Sequence, residues 1–319
     1  MTRAAVLAGG VGAARFLDGL IAVLDPGDVT AIVNVGDDMA WAGLHISPDL
    51  DTVTYTLAGL VNPDTGWGLA GESRRTLDRL SELGGPDWFM IGDLDLATHL
   101  YRTQRLREGE LLSEITADLA ARLGIEANVT PVTDDQLRTV VATEVGELAF
   151  QDYFVRRRAS DPVRGLRFDG AESAQPAPGV IEAIAAADVI VIAPSNPFLS
   201  IEPLFAVSGV RAAIADTTAP VVAISPIIGG AAVKGPAADI LSSLGHDVSA
   251  LGVARLYDGL ADLFILDEQD EALVTQVESE TNLRCIALPT LMTDMRAKRA
   301  LAQATLEAAL SLAAKGGSQ

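Results

Sequence analysis

The sequence predicts an α/β protein with a doubly wound, Rossmann-like parallel sheet that carries an inserted subdomain of helices and a β-hairpin. The chain opens with a strand–helix–strand pattern, buried strands return in its second half, and the stretch between them is mostly helical and rich in charge. Strands that alternate with helices form parallel sheets with helices on both faces. We therefore expect a single α/β domain over residues 1–319, with its core at 1–62 and 176–312 and the inserted subdomain at approximately 63–175.

The first strand–helix–strand unit occupies the start of the chain. The run AAVLAGG is apolar and ends in glycine, and AARFLDGLIAVL places Phe16, Leu20 and Val23 at helical spacing. The following run, VTAIVNVGDD, is β-branched and ends in Asp37 and Asp38. This order predicts the repeating unit of a parallel sheet.

Later strands and the insert have different patterns. ADVIVIAPSNP and APVVAISPIIGG are apolar runs that lead into Pro, Ser and Gly loops, and LADLFILDEQD and LRCIALPTLM resemble them. Residues 67–124 have the pattern of helices. In RTVVATEVGELAFQDYFV, by contrast, apolar and polar residues alternate on both sides of residues 144–146. That alternation predicts a hairpin.

Composition excludes several classes of protein. The formal net charge is −20 and the pI is about 4.4, so the surface repels nucleic acid and anionic membranes. A single cysteine, Cys285, allows neither an intramolecular disulfide nor a cysteine metal cluster. The start of the chain lacks the apolar core of a signal peptide, and no apolar stretch reaches membrane-spanning length. We expect a cytoplasmic protein that acts on small molecules, which can include phosphorylated ones.

The glycine-rich stretch LAGGVGAARF lies between the first strand and its helix. Gly9, Gly10 and Gly12 would let the backbone approach a phosphate, and free N–H groups at the start of the helix attract negative charge. Arg15 stands where a dinucleotide fingerprint has its third glycine, and its guanidinium could itself reach a phosphate. The alternative is a tight strand-to-helix turn without a ligand.

Two pairs of aspartates suggest a site for a cation. Asp37 and Asp38 end the second strand, at the edge where open α/β sheets bind ligands, and Asp49 and Asp51 precede a helical run. Carboxylates from adjacent loops are the ligands that Mg²⁺ takes when it also holds substrate phosphates. The pattern therefore suits a Mg²⁺ site but does not decide between it and a structural role for these aspartates.

The second pair also has a structural interpretation. Ser47 can cap the helix, Pro48 suits its first position and Asp49 complements the helix dipole. Asp51 lies off the apolar stripe of that helix, so this interpretation leaves it unexplained. Near the surface, Asp51 would be free to act on a ligand.

A third stretch, IGDLDLATHLYRTQR, carries polar residues at helical spacing. Asp93 can cap the helix, and Asp95, His99 and Arg102 follow on one face. They could face a polar ligand, or they could form a solvated face of ion pairs.

Two loops after later strands offer further polar groups. APSNPFLSI presents Ser195 and Asn196, and SPIIGGAAVKGPA presents a glycine pair and Lys234, which is one of three lysines. A lysine in such a loop suits a phosphate, although it can equally be an exposed loop residue.

These stretches together resemble the 2-phospho-L-lactate transferase family of coenzyme F-420 biosynthesis, whose actinobacteria-like members are phosphoenolpyruvate transferases. The resemblance runs from residue 4 to about 300 and rests on the following blocks in their order and spacing: GGVGAARFLDGL, NVGDD, SPDLDTVTYTLAG, GWG, GDLDLATHL, FQDYFVRRR, APSNP, SPIIGG, KGPA and TLMTD. It implies a Mg²⁺-dependent phosphotransferase and a homodimer. The donor would be a guanosine diphosphate carrying a lactyl, enolpyruvyl or glyceryl group, and the acceptor the terminal ribityl hydroxyl of the deazaflavin Fo. The enzyme would release GMP.

The resemblance also implies roles for individual residues. Catalytic roles would fall to Asp51 and Asp37. The metal ligands would come from Asp37, Asp38, Asp49 and Asp51. The acceptor would be bound by Asp51, Met90, Asp93, Thr98, His99 and Arg102. The nucleotide and its phosphates would be bound by Gly9, Gly10, Gly12, Arg15, Ser195, Asn196, Pro197, Ser225, Gly229 and Lys234.

Two positions depart from the family pattern. Leu94 stands where relatives usually have an arginine between the two acids, and Met90 stands where many have a basic residue. Either another arginine replaces these charges or the acceptor is held less tightly. The sequence leaves two alternative functions open: a nucleotide-sugar-binding regulator of the related gluconeogenesis and morphogenesis factor family, and an NAD-dependent oxidoreductase, which Arg15 disfavours.

Overall fold

A seven-stranded parallel sheet forms the core of the computed structural model, which describes residues 1–233 and 235–316. The strands in chain order are β1 (Ala4–Ala8), β2 (Val29–Val33), β3 (Met39–Trp41), β4 (Leu44–Ile46), β5 (Asn128–Pro131), β6 (Arg138–Thr143), β7 (Gly146–Ala149), β8 (Val163–Asp169), β9 (Val189–Ile192), β10 (Val221–Ile224), β11 (Ile227–Ile228), β12 (Ala231–Ala232), β13 (Leu263–Asp267) and β14 (Arg284–Leu288). The central sheet has the spatial order β14-β13-β10-β9-β1-β2-β5, and all of its pairs are parallel.

Helices flank this sheet and build the region above its carboxyl edge. In chain order they are α1 (Gly10–Leu20), α2 (Pro48–Leu57), α3 (Arg75–Glu82), α4 (Asp93–Arg107), α5 (Leu112–Arg122), α6 (Val180–Ala186), α7 (Glu202–Ala206), α8 (Val210–Ala215), α9 (Ala237–Ser243), α10 (Ala250–Tyr257), α11 (Val274–Glu280) and α12 (Met295–Gly316). Short 3₁₀ or π-helical turns occupy Pro26–Asp28, Asp152–Arg156, Pro197–Ile201 and Glu268–Leu273. Helix α1 packs against both α2 and α12. Among the described residues, no helix combines the length and apolar character that crossing a bilayer demands.

The apolar strand sequences explain why the sheet is central. Every residue of β1, β9, β10 and β13 is buried, as expected for parallel strands that helices cover on both faces. The predicted doubly wound parallel sheet is confirmed.

The region predicted as an insert divides into two parts. Helices α3, α4 and α5 match the predicted helical stretch, and β6 and β7 form the predicted hairpin, which β8 extends to three antiparallel strands. Between these parts, β5 pairs with β2 and so joins the core sheet, inside the predicted insert boundaries of 63–175. As a four-residue edge strand, β5 lacks the long apolar run by which the central strands are recognised.

The topology places a crevice beside β1. The chain passes from β1 to β2 on one side, whereas β9 and the later strands lie on the other side. Such a reversal of strand order opens a crevice at the carboxyl ends of the strands, where doubly wound proteins bind ligands.

Candidate active site

A cleft of about 780 Å³ lies at the carboxyl edge of the sheet. Its polar lining includes residues of the loops after β1, β2, β9 and β10, of the first turn of α2, and of α1 and α4. Its aromatic lining consists of Tyr55, Trp67, Trp88, Phe89, Phe150 and Phe154. One cavity therefore joins a polar region to an aromatic one.

The glycine loop between β1 and α1 is held by close packing. Gly10 has a φ of +71°, a conformation that favours glycine, and its N–H donates to Asp49 Oδ1 at 2.7 Å. A Cβ on Gly9 would lie 2.6 Å from Asp49 Oδ2, and one on Gly12 would clash with the carbonyl oxygen of Pro194. Packing thus accounts for Gly9 and Gly12, and backbone conformation accounts for Gly10. Asp49 takes the N–H of Gly10, and no side chain of the N-cap residue Gly9 caps α1, so other N–H groups of the first turn remain available to a ligand.

Arg15 is a cationic residue beside the glycine loop. It lies on α1, is half-buried and lines the cleft. It forms no ion pair with any residue that the structure describes. A guanidinium without a partner, beside uncapped helix N–H groups, suits an anionic ligand.

Three buried carboxylates form an acid cluster, which we define as Asp37, Asp38 and Asp49. Asp49 accepts hydrogen bonds from Gly10 N and, at 2.9 Å, from Asn34 Nδ2. Among the described residues, Asp37 Oδ1 and Asp38 Oδ1 are buried without a hydrogen-bond partner. Buried oxygens that lack a donor are expensive unless a cation or water meets them.

The pKa values of the acid cluster reflect this crowding. Burial raises the pKa of Asp37 well above its usual value, and the charges of Asp49 and Asp38 raise it further. Burial also raises the pKa of Asp49 to about 6, although hydrogen bonds from Asn34 and Gly10 oppose the shift. The cluster cannot carry all of its negative charge at low cost without a cation.

Ser47 connects the two aspartate pairs. Helix α2 begins at Pro48 as predicted, with Ser47 as its flanking residue, but the Ser47 hydroxyl does not cap the helix. It donates instead to Asp38 Oδ2 at 2.8 Å, and His45 Nε2 lies 2.8 Å from the same oxygen. These contacts fix Asp38 and leave its Oδ1 free.

Asp51 belongs to a second group of residues, which α2 and α4 bring together. Arg102 Nη1 donates to Asp51 Oδ2 at 3.2 Å, and Arg102 Nη2 donates to Oδ1. His99 Nδ1 lies 3.7 Å from Asp51 Oδ2, and His99 Nε2 lies 3.2 Å from Asp95 Oδ1, which also accepts from the Tyr55 hydroxyl at 2.6 Å. His99 is 1% exposed and Arg102 is 2% exposed, so they do not form a solvated face.

Asp51 is itself buried, at 6% exposure, and lines the cleft. It is less accessible than the sequence suggested, because α4 covers one side of its carboxylate. Burial opposes the charge of Arg102, but the Asp51 carboxylate outweighs that effect and raises the pKa of Arg102 above its usual value. Arg102 is therefore a guanidinium cation.

Two sets of side chains could hold a cation. One atom each of Asp51, Asp95 and His99 lie within 4.8 Å of one another. The guanidinium of Arg102 already occupies Asp51 there and repels a cation. The acid cluster offers carboxylate oxygens, two of them unpartnered, and no arginine of the described chain forms an ion pair with it, although His45 Nε2 lies 2.8 Å from Asp38 Oδ2. Since Mg²⁺ prefers oxygen ligands, the acid cluster fits Mg²⁺ better.

The other predicted site residues divide into those on the cleft and those off it. Met90, Ser195, Asn196 and Ser225 line it, in addition to the residues above. The Ser195 hydroxyl donates to Gly9 O at 2.8 Å, and Asn196 Nδ2 is buried without a partner in the described part of the chain. Six predicted residues do not line the cleft: Asp38, Asp93, Thr98, Arg102, Pro197 and Gly229. Lys234 lies outside the described residues.

Local contacts explain two of the residues off the cleft. Asp93 is the first residue of α4, and its carboxylate accepts from Ser73 Oγ and from Thr76 N, so it stabilises the start of α3. Gly229 N donates to Asp270 Oδ2 at 2.9 Å. Leu94 is exposed.

The sequence reasoning did not assign the aromatic lining. The chain has only 3 Trp, 4 Tyr and 8 Phe, yet six of these side chains line this one cleft. Gln151, whose Nε2 donates to Asp37 O at 3.2 Å, and residues 290–293 were also not assigned. The scarcity of aromatics was the available signal, because aromatic residues in loops have no periodicity to reveal them.

Fold and cleft together define a doubly wound α/β protein with a ligand site at the carboxyl edge of its sheet. The family model of 2-phospho-L-lactate transferase CofD matches residues 4–299. The chain therefore belongs to the 2-phospho-L-lactate transferase CofD family, and the resemblance seen in the sequence blocks is confirmed.

Curated relatives cover almost the whole chain. Two proteins named phosphoenolpyruvate transferase are each 46% identical to it: one from Streptomyces griseus, covering 96% of this chain and 98% of the relative, and one from Streptomyces coelicolor, covering 95% and 97%. A protein of that name from Mycolicibacterium smegmatis is 41% identical and covers 95% and 98%. A crystal structure of a protein from Bacillus halodurans shares the fold, with a TM-score of 0.62, 19% identity and coverage of 96% of this chain and 99% of that one.

Proposed function

We propose that this protein transfers a phospho-enolpyruvyl group from a guanosine diphosphate-linked donor to the terminal ribityl hydroxyl of Fo, in coenzyme F-420 biosynthesis. The hydroxyl oxygen forms a bond to the phosphorus that carries the three-carbon acid, and the bond from that phosphorus to GMP breaks. The observation that carries the proposal is one cleft whose lining includes the glycine loop, Arg15, two aspartates of the acid cluster and six aromatic side chains, in a member of this transferase family. The relatives' name favours enolpyruvyl over lactyl or glyceryl.

The chemistry divides between the two regions of the cleft. The aromatic side chains suit the planar ring system of a deazaflavin, since flat rings stack on aromatic faces. Arg15, the first turn of α1 and the Asn196 amide suit the diphosphate and nucleotide. Asp51 lies in the first turn of α2, and its carboxylate has lone pairs left to accept a hydrogen bond from the attacking hydroxyl.

Mg²⁺ is part of the proposal, with the acid cluster as its site. Asp37 and Asp49 line the cleft, whereas Asp38 does not line it and accepts a hydrogen bond from Ser47. When bound, the ion would neutralise charge on the donor diphosphate, which phosphoryl transfer requires. Asp51 is assigned to the acceptor, because Arg102 already engages both of its oxygens. Guanosine nucleotide binding, a homodimer and a cytoplasmic location stay predictions.

A donor comparison tests the function. The protein is incubated with Fo, Mg²⁺ and the enolpyruvyl, lactyl or glyceryl donor in turn, and the products are measured by mass spectrometry. We expect the enolpyruvyl phosphodiester of Fo and GMP. No product with any donor would contradict the proposal, and tight binding of a uridine diphosphate sugar without binding of Fo would favour the regulator.

Substitution of Arg15 by alanine is expected to raise the KM for the donor at least about 10-fold. A charge-assisted hydrogen bond contributes about 1.5–3 kcal/mol, and about 1.4 kcal/mol corresponds to a factor of ten. The KM for Fo should stay within about twofold. Arg164→Ala is the control, because Arg164 is exposed on β8 and pairs with Glu144. A donor KM equal to that of the wild type would remove Arg15 from the site.

Without metal, stability should depend on pH through the acid cluster. The pKa of Asp49 is about 6 in the folded protein, and an unfolded aspartate has a pKa of about 3.9. The protonated form thus favours folding, so this contribution is complete below pH ~3.9 and is lost as the pH rises through ~6. A shift of about two pKa units corresponds to about 3 kcal/mol.

Urea unfolding between pH 4 and 7 in the presence of chelator measures this dependence. The free energy of unfolding of the wild type should fall with rising pH relative to that of Asp49→Asn, which does not titrate at this position. The same pH dependence in both proteins would contradict the assignment.

A further inference from the structure

Arg102 is a buried cation outside the wall of the cleft. It lies on α4, is 2% exposed and is among the largest fully buried side chains of the described chain. Removing a guanidinium from water costs several kcal/mol unless its partners compensate. An arginine in this position needs a reason beyond packing.

The contacts of Arg102 converge on one carboxylate. Its Nη1 and Nη2 donate to the two oxygens of Asp51, while its Nε has no partner among the described residues. Two parallel hydrogen bonds to one carboxylate fix its plane as well as its position. Asp51 comes from α2, so this pair also joins α4 to the helix that begins beside the acid cluster.

His99 and Asp95 enclose the same carboxylate. His99 Nδ1 lies 3.4 Å from Arg102 Nη1 and 3.7 Å from Asp51 Oδ2. Asp95 holds the other side of the imidazole, and Tyr55 donates to Asp95. The side chain of Asp51 therefore has little freedom to rotate towards the acid cluster.

We propose that Arg102 is a positioning residue for Asp51. It holds the carboxylate in the one orientation in which a remaining lone pair meets the acceptor hydroxyl, and it keeps Asp51 from joining the ligands of the cation. This inference rests on the proposed function. It also gives Arg102 a role without contact to the acceptor, in place of the direct contact that the sequence suggested.

Arg102→Lys tests whether Arg102 orients the Asp51 carboxylate, since lysine keeps the positive charge but cannot form the bidentate pair of hydrogen bonds. We expect kcat to fall about 10- to 100-fold, because small misplacements of a reacting group cost this much. The KM for the donor should stay within about twofold, because Arg102 does not line the cleft. Arg105→Lys on the same helix is the matched control: Arg105 pairs with Glu110 and Asp118 and does not line the cleft, so kcat should be unchanged.

A second measurement separates positioning from a general structural role. The affinity for Fo is measured by calorimetry for Arg102→Lys in the wild-type and Asp51→Asn backgrounds. If Arg102 acts through Asp51, the substitution weakens binding in the first background and has no effect in the second. If Arg102→Lys does not fold, Arg102→Gln replaces it with the same two readouts.

Two outcomes would overturn the inference. One is a folded Arg102 variant whose kcat lies within twofold of the wild type, and the other is an equal loss of Fo affinity in both backgrounds. Failure of the proposed function gives a different result, because the wild type then makes no product from any donor.

Discussion

Asp51→Asn is expected to lower kcat at least about 10²-fold, the largest loss among the single substitutions considered. The amide keeps the shape of the carboxylate, but its NH₂ group would face the N–H donors of Arg102. The side chain therefore loses its fixed orientation and the charge that attracts the acceptor hydroxyl. Steady-state rates with Fo and the enolpyruvyl donor measure the effect.

The same substitution should also destabilise the protein. Asparagine leaves Arg102 as a buried charge without a counter-ion, which costs about 3–5 kcal/mol. The sequence placed Asp51 near the surface, whereas it is 6% exposed and paired with Arg102. Circular dichroism at the assay temperature shows whether the variant remains folded.

A double variant separates the two effects. Asp51→Asn combined with Arg102→Met removes the buried, unpaired charge of Arg102. Stability should therefore recover while turnover stays low. Asp78→Asn is the control, because Asp78 is exposed on α3 and does not line the cleft. Recovery of turnover in the double variant would exclude Asp51 from the reaction.

Asp37→Asn is expected to stabilise the metal-free protein and to weaken its binding of Mg²⁺. Burial and neighbouring charges raise the pKa of Asp37, so its ionised form destabilises the metal-free fold at neutral pH. In chelator, the variant should therefore unfold at a higher temperature than the wild type. Its affinity for Mg²⁺ should fall at least about 100-fold. Substitution of residues that only orient metal ligands already lowers metal affinity about 10- to 100-fold.

Thermal unfolding with and without Mg²⁺ measures both effects. Mg²⁺ should raise the unfolding temperature of the wild type and of Asp78→Asn, because a ligand that binds only the folded state stabilises it. Mg²⁺ should leave the unfolding temperature of Asp37→Asn unchanged. An equal Mg²⁺ response in Asp37→Asn and wild type would place the ion elsewhere.

Strand ends and helix faces made part of this site predictable from the sequence. Asp37 and Asp38 follow a β-branched run, and parallel strands end at one edge of the sheet, so their place near the ligand crevice could be predicted. Helical spacing likewise placed Asp95, His99 and Arg102 on one face of α4. The spacing could not show what covers that face, because a repeat identifies neighbours on one element and not the element that packs against it.

Long-range pairings account for most of what the sequence did not reveal. Asp51 and Arg102 lie on different helices, and only the packing of α2 against α4 makes them partners. Strand β5 was hidden because an edge strand needs no long apolar run. The aromatic lining combines Tyr55 of α2, residues of the segments between α2 and α4, and residues after β7, and no local pattern connects those segments.

The central claim is that the acid cluster coordinates the metal ion and that Asp51 does not, so that Asp51 can bind the acceptor. A crystal structure with guanosine diphosphate and Mn²⁺, in place of Mg²⁺, tests this claim most directly. We expect an anomalous Mn²⁺ peak within about 2.5 Å of carboxylate oxygens of Asp37 and Asp49, with the Asp51–Arg102 pair intact. A peak among Asp51, Asp95 and His99 with Arg102 displaced, or no peak at saturating Mn²⁺, would contradict that division.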